Sequence, residues 1–440
     1  MADFCTGPGE ETRVLWRKHA AVATLAKHAA GGYRRYPMKP PEPVAAALIA
    51  GIDPAQMLAW TQAWSAINTG TANLAGLASQ AGILASALSD LPGEVALAAP
   101  ASVEAVTADG RISERAHGDH LVLRVRPGAP RRVLLTGHMD TVFAAGDAFQ
   151  DQRWIDAETL CGPGVADMKG GIAVMIAALT AFENSPDAAL LGYDVLINSD
   201  EETGSLSSAP LIAELARGKL AALTYEPSAL PDGTLAGARG GSGNYSAVVS
   251  GRAAHAGRNP RDGRNALLAA SDLALRLKAL EHDGLSVNPA RIDGGSANNV
   301  VPDNAVLRWN IRPRDTAAAE RYADALPALI AEIAAAHDVA IHLHGGITRP
   351  PKPLTPDAER LFALVRDCGA VLGQNIAWQP SGGVCDGNNI AACGVPVVDT
   401  LGVRGGAIHS PDEYLIVPSL GERAALSALV LHRIATGAMA

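Results

Sequence analysis

The chain has 440 residues, of which 48% are apolar, 18% charged and 4% aromatic, with a net charge of −9. That length exceeds what one ordinary core needs and predicts two domains, while the acidic balance argues against nucleic acid or an anionic membrane as a partner. The five cysteines (Cys5, Cys161, Cys368, Cys385 and Cys393) are scattered without CxxC spacing, which argues against a disulfide framework or a thiolate metal site.

No apolar run approaches the roughly 18 residues that a membrane span requires, and no basic segment followed by an apolar one opens the chain. A soluble cytoplasmic protein is therefore expected. Residues 1–55 mix Gly, Pro and basic groups without a sustained period, and are expected to be a peripheral, irregular extension. From Met57 a helix reaches residue 65, and a second one ends near Ser89. Strands are predicted at Leu121–Val125, Val133–Thr136, Val195–Ile197 and Leu223–Tyr225, with a buried helix over Ile172–Phe182. This alternation points to a largely parallel α/β sheet.

Between about 237 and 347 the rhythm changes. Strands at Tyr245–Val249, Leu285–Ile292, Ala305–Ile311 and Val339–Leu343, with helices at Ala266–Leu280 and Ala317–Ala335, follow the βαββαβ order of a ferredoxin-like unit. A helix over 357–373 and a strand over 395–401 then return to the first pattern. The expected organisation is a larger α/β domain in two parts, 56–236 and 348–440, with an α+β unit inserted over 237–347.

Four segments place acids or imidazoles just beyond a short apolar strand: Gly137-His138-Met139-Asp140, Ser199-Asp200-Glu201-Glu202, Tyr225-Glu226-Pro227-Ser228 and Gly406-Ala407-Ile408-His409. A fifth, Gly164-Val165-Ala166-Asp167-Met168-Lys169, precedes the Ile172 helix. In a parallel sheet these positions gather at the carboxyl edge, where ligands bind. Two imidazoles with three carboxylates suit zinc or its neighbours. An aspartate can bridge two cations about 3.5–4 Å apart, and a nearby carboxylate can take the proton from an activated water. Adjacent Glu201 and Glu202 can divide those tasks, one as base and one as ligand.

Taken with LLTGHMDTVF, GPGVADMKGGIA, INSDEETGS, AAHAG, SANNVVP, NIRP, SGGVCDGN and IHSPDEY, these segments resemble the zinc-dependent carboxypeptidase/aminoacylase metallopeptidases, and glutamate carboxypeptidase most. The likeness runs from about Met57 to Ile434. It implies a phosphorylase/hydrolase-like di-zinc catalytic domain with a ferredoxin-like lid that also dimerises. By resemblance, His138 and Glu226 hold one zinc, Glu202 and His409 the other, and Asp167 bridges them; Co(2+) or Mn(2+) are alternatives. Asp140 orients His138, Glu201 is the base, and His255 reaches a partner subunit's site to polarise the substrate carbonyl. Asn299, Arg312, Arg349 and Gly383 fall near the substrate. A cis peptide is implied at Asp167–Met168.

Two departures stand out: Ala254 replaces the serine usual before the small-domain histidine, and Val384 interrupts the glycine-rich loop. The resemblance implies an enzyme cutting an amide beside a carboxylate in a small peptide, or alternatively in an N-acyl amino acid. Rival readings fare poorly. Gly162-Pro163-Gly164 only begins a dinucleotide fingerprint, with Asp167 where its third glycine belongs. Ser242 lacks the G-x-S-x-G frame of a serine hydrolase. A non-catalytic binding relative would have no need of Glu201.

Overall fold

A computed structural model describes residues 42–439. Its main sheet has six strands in the order Glu94–Ala98, His120–Val125, Gly192–Asn198, Arg132–His138, Ala221–Thr224, Val397–Val398. Arg132–His138 runs parallel to both of its neighbours, as does Ala221–Thr224 to Val397–Val398, whereas the first two strands are antiparallel. The central strands are near-continuous apolar runs because both faces are covered. Leu135, Val195, Ile197 and Leu223 enter one core, and the alternate residues Leu134, Leu196 and Ala222 enter another on the opposite face.

The first core is filled by the helix Gly170–Glu183, against which Pro54–Ser65 and Ser419–Ala435 pack. Gly171 permits this closeness, since a Cβ there would meet the Tyr225 carbonyl at 2.0 Å. The second core lies under Ala209–Ala216 and Asp386–Ala392.

A separate four-stranded antiparallel sheet has the order Leu285–Gly294, Asn304–Pro313, Ser242–Ser250, Ala340–Arg349. Numbered along this segment, the strands run 2-3-1-4, the ferredoxin-like arrangement. Helices Ala266–Lys278 and Thr316–His337 supply its own core with Leu273, Tyr322 and Ile333. There Trp309 Nε1 donates to the Tyr322 hydroxyl at 2.6 Å and stacks on Tyr245, so its one polar atom is satisfied where it is buried. A hairpin, Val103–Val106 with Ile112–Arg115, leaves the main sheet and docks on this unit. Arg308 donates to the carbonyls of Val106 and Thr107.

Three expectations need correction. Of the extension expected over 1–55, residues 1–41 lie outside the described residues, but Pro43–Ala50 is a helix that buries Ala45 and Leu48 in the main core. Its eight residues are too few to show a period. The C-terminal helix Ser419–Ala435 was not anticipated, because Glu422, Arg423, His432 and Arg433 break up its apolar pattern. Finally, one helical stretch, Val165–Glu183, does have the length and hydropathy of a membrane span. It is 94% buried and is the core helix of the main sheet.

Candidate active site

The strand Arg132–His138 ends on His138, Gly192–Asn198 leads into Glu201 and Glu202, and Ala221–Thr224 leads into Glu226. Parallel pairing puts these three ends at one edge. Asp167 arrives from the loop before the core helix, with φ −114° and ψ 91°, and its peptide to Met168 is cis. His409 arrives from a turn and has a positive φ of 61°.

Asp167 lies between the two imidazoles. Its Oδ1 is 3.1 Å from His138 Nε2, and its Oδ2 is 3.2 Å from His409 Nε2. Glu226 Oε2 stands 3.7 Å from the same nitrogen of His138, and Glu202 Oε2 stands 3.2 Å from that of His409. Each histidine thus shares one oxygen of Asp167 and has one glutamate of its own. Asp140 is fully buried and holds several parts together. Its backbone oxygen is 3.0 Å from His138 Nδ1 and its carboxylate 3.4 Å. The carboxylate also accepts from Thr71 Oγ1 and from the N–H groups of Glu201 and Glu202. His138 therefore presents Nε2 to the cluster.

So much buried acid perturbs Glu201 and the five residues around Asp167 and the two imidazoles. Burial raises Glu201 to about 8 against the pull of Arg349 and His138. Burial, with the charge of Asp167, raises Glu202 to about 7, and burial raises Glu226 to about 8 against the pull of His138. Hydrogen bonds that its ring donates to Asp167 and Glu202 raise His409 to about 11. For His138 burial acts downward, yet Glu226, Asp140 and Asp167 carry it well above the usual imidazole range. Asp167 goes the other way: burial acts upward, but His138 and His409 hold it well below the usual carboxylate range.

Groups that would otherwise compete for protons are the donors a divalent cation organises, since it supplies countercharge to carboxylate and neutral imidazole alike. The ligating atoms of His138, Asp167 and Glu202 lie within 4.8 Å of one another, as do those of His138, Glu201 and Glu226. The residues fit a metal centre.

Glu201 Oε1 accepts from Arg349 Nη2 at 2.7 Å. Arg349 is buried, and it also donates to Asp386, Asn389 and Ser205. That corrects its expected place as a clamp for substrate: its fork is already committed to Glu201 and Asp386. The glycine-rich loop at 382–385 is likewise tied from behind. Arg239 donates to the Gly383 carbonyl at 2.9 Å and pairs with buried Asp399, which also meets Lys352. The thiol of Cys385 is 3.5 Å from Asp399.

The small-sheet candidates stand apart. His255, Asn299 and Arg312 are exposed, and among the described residues no hydrogen bond or ion pair joins them to the cluster. The N–H groups of Gly257 and Arg258 donate to His255 Nδ1, which leaves its proton on Nε2. Arg312 Nε donates to Asn310. Sequence reasoning passed over Arg239, Asp399 and Glu413, whose partners are remote in the chain.

Among solved structures the fold is shared with a tripeptidase from Staphylococcus aureus, at TM-score 0.66 and 22% identity, covering 88% of this chain and 99% of that one. It is shared as well with a dinuclear metal-binding peptidase of the M20 family from Bacillus subtilis, at TM-score 0.61 and 14% identity, covering 87% and 98%. The chain belongs to peptidase family M20/M25/M40, which matches residues 134–433. Carboxypeptidase G2 from Pseudomonas sp. is 29% identical over 332 residues, 73% of this chain and 78% of that protein. A succinyl-diaminopimelate desuccinylase from Xanthomonas oryzae pv. oryzae is 31% identical over 331 residues, 70% and 84%. The protein is a metal-dependent hydrolase acting on C–N bonds.

Proposed function

We propose that the protein is a di-zinc hydrolase that cuts an amide bond beside a carboxylate, in the manner of a glutamate carboxypeptidase. The observation that carries this is the division of Asp167 between two imidazoles, each with its own glutamate. His138 and Glu226 would hold one cation, Glu202 and His409 the other, and Asp167 both; Co(2+) and Mn(2+) suit the same donors. Two such cations supply Lewis acidity and a water acidified toward neutral pH.

Glu201 takes the proton of the attacking water and returns it to the leaving nitrogen, with Arg349 holding its carboxylate in place. Asp140 fixes the ring of His138 and the backbone of Glu201 and Glu202. His255, carrying its proton on Nε2, donates to the substrate carbonyl oxygen as charge develops there. Arg312 pairs with the substrate carboxylate through its fork, and Asn299 and Gly383 line the substrate.

The organisation proposed is a catalytic domain over 56–236 and 348–440 and a lid over 237–347. Because His255 makes no contact with the cluster among the described residues, a homodimer through the lids is proposed, each lid serving its partner's site. Exposed Leu268 and Leu275, seven residues apart on one helix, offer apolar surface for that contact. The free thiols of Cys161, Cys368, Cys385 and Cys393 accord with a cytoplasmic location.

A second reading, an N-acyl amino acid deacylase, is favoured by the 31% identity to a desuccinylase. Kinetics on a panel of dipeptides and N-acyl amino acids, run on protein of measured metal content, separates the two. Faster turnover of peptides ending in glutamate supports the first reading, and faster turnover of N-acyl substrates supports the second. No turnover of either class would refute both.

A further inference from the structure

Glu413 lies outside the cluster described above, yet it is 1% exposed and its carboxylate is fully engaged by backbone. Oε1 accepts from the N–H groups of Ala166, at 2.9 Å, and Asp167, at 3.0 Å. Oε2 accepts from Gly164 N–H at 3.1 Å. The main chain continues the stitching: Gly162 N–H donates to the Glu413 carbonyl, Glu413 N–H donates to Ser410, and Tyr414 pairs with Cys161. One residue therefore joins the loop that carries Asp167 to the turn that carries His409, four positions before it.

Both segments need such an anchor. Asp167 and Met168 have non-helical dihedrals inside a helical turn, so no regular ladder takes up the amides there. His409 has positive φ and a side chain 52% exposed, so packing holds it weakly. His138, by contrast, ends a central strand, and Asp140 grips it independently. A carboxylate facing three N–H groups forms charge-assisted bonds, which are stronger than neutral ones.

We infer that Glu413 is a positioning residue that keeps Asp167 and His409 in fixed relation, so that the cation held by Asp167, Glu202 and His409, two of whose three holders it anchors, depends on it more than the cation held by His138, Glu226 and Asp167, of whose holders it anchors one. This rests on the two-cation reading above.

The test is Glu413→Gln, in which an amide NH2 must face backbone donors. Metal-free parent and variant are titrated with cobalt(II), followed by calorimetry and visible absorption, and hydrogen exchange is measured on the metal-free forms. The parent should bind two cations. In the variant one event should weaken by about 10- to 100-fold while the other persists, and the peptide spanning 162–168 should exchange faster. Unchanged isotherms overturn the inference, as do two events weakened equally in step with a lowered Tm. If Glu413→Gln does not fold, Glu413→Asp, which keeps the charge but withdraws the oxygens, is read by the same criteria. A parent that binds fewer than two cations refutes the underlying reading instead, and this inference with it.

Discussion

At the edge of the main sheet, His138, Asp140 and Asp167 are at most 5% exposed, and each has a partner of opposite or complementary character within hydrogen-bond reach. Around the small sheet, His255, Asn299 and Arg312 stand in solvent and touch none of them. Burial of charge is tolerated only where partners are fixed, so the first group is preorganised by the fold itself. The second carries its chemistry ready, with the tautomer of His255 already set, but lacks an object. On the proposed reading, one half of the centre is complete within a chain, and the other would be supplied by a second copy.

The contrast is broken most severely from the buried side. Glu201→Gln keeps an oxygen for Arg349 but cannot accept a proton. Turnover should fall about 10²- to 10⁴-fold, while metal content by elemental analysis stays at the parent's level. A variant of near-parent kcat would remove Glu201 as the base.

From the exposed side, His255→Ala should cost about 10²- to 10³-fold in kcat, the scale of one lost oxyanion donor, and leave metal content and Tm unchanged. Mixing it with Glu201→Gln sharpens the comparison. Heterodimers that pair the intact His255 of one chain with the intact Glu201 of the other should recover part of the activity. If mixing recovers nothing while the two chains demonstrably exchange, His255 does not act across subunits.

How much of this was legible in the sequence follows the same line. Three members of the cluster were readable because His138, Glu202 and Glu226 each follow an apolar strand of the main sheet, and parallel pairing then determines where they go; Asp167 and His409 come from a loop and a turn outside that sheet, and only their motifs pointed to them. The small sheet was readable too, from the spacing of its strands and helices. Arg349 was misread because its partners, Glu201 and Asp386, lie 148 and 37 residues away, and a buried ion pair leaves no local pattern. The same holds for Arg239 with Asp399 and for Glu413 with Ala166. The helix Pro43–Ala50 escaped notice for a different reason: eight residues, with only Ala45 and Leu48 buried, give no period to detect.

Arg312 tests the comparison more gently. Its guanidinium is exposed and bonds only to Asn310 among the described residues, so its replacement should leave the fold and the metal untouched. Arg312→Ala should raise KM about 10- to 100-fold for carboxylate substrates, the scale of a lost charged hydrogen bond, with kcat little changed. The corresponding amides should be affected much less. Equal losses for acids and amides would take Arg312 out of substrate binding.

The smallest effect expected concerns stability, and it belongs to the buried half alone. In protein stripped of metal, Glu201, Glu202 and Glu226 have pKa values raised by burial to about 8, 7 and 8. The unfolded chain titrates them near the ordinary value of 4.5. Between pH 5 and 7 the folded state therefore holds more protons than the unfolded one, and stability falls as pH rises, by about 1.4 kcal/mol per pH unit for each proton of difference. His138 and His409, both raised, act in the same direction as pH passes 6.5. Lys169, lowered by burial to about 7, opposes the trend only above that pH. The Tm of the stripped protein should thus decline from pH 5 to 7, and saturating zinc should restore more stability at pH 7 than at pH 5, because the cation replaces the protons that are lost. A Tm that rises over this interval without metal would mean that the carboxylates are not held in the buried cluster in solution. The His255 and Arg312 variants should trace the parent's curve, since neither side chain is part of it.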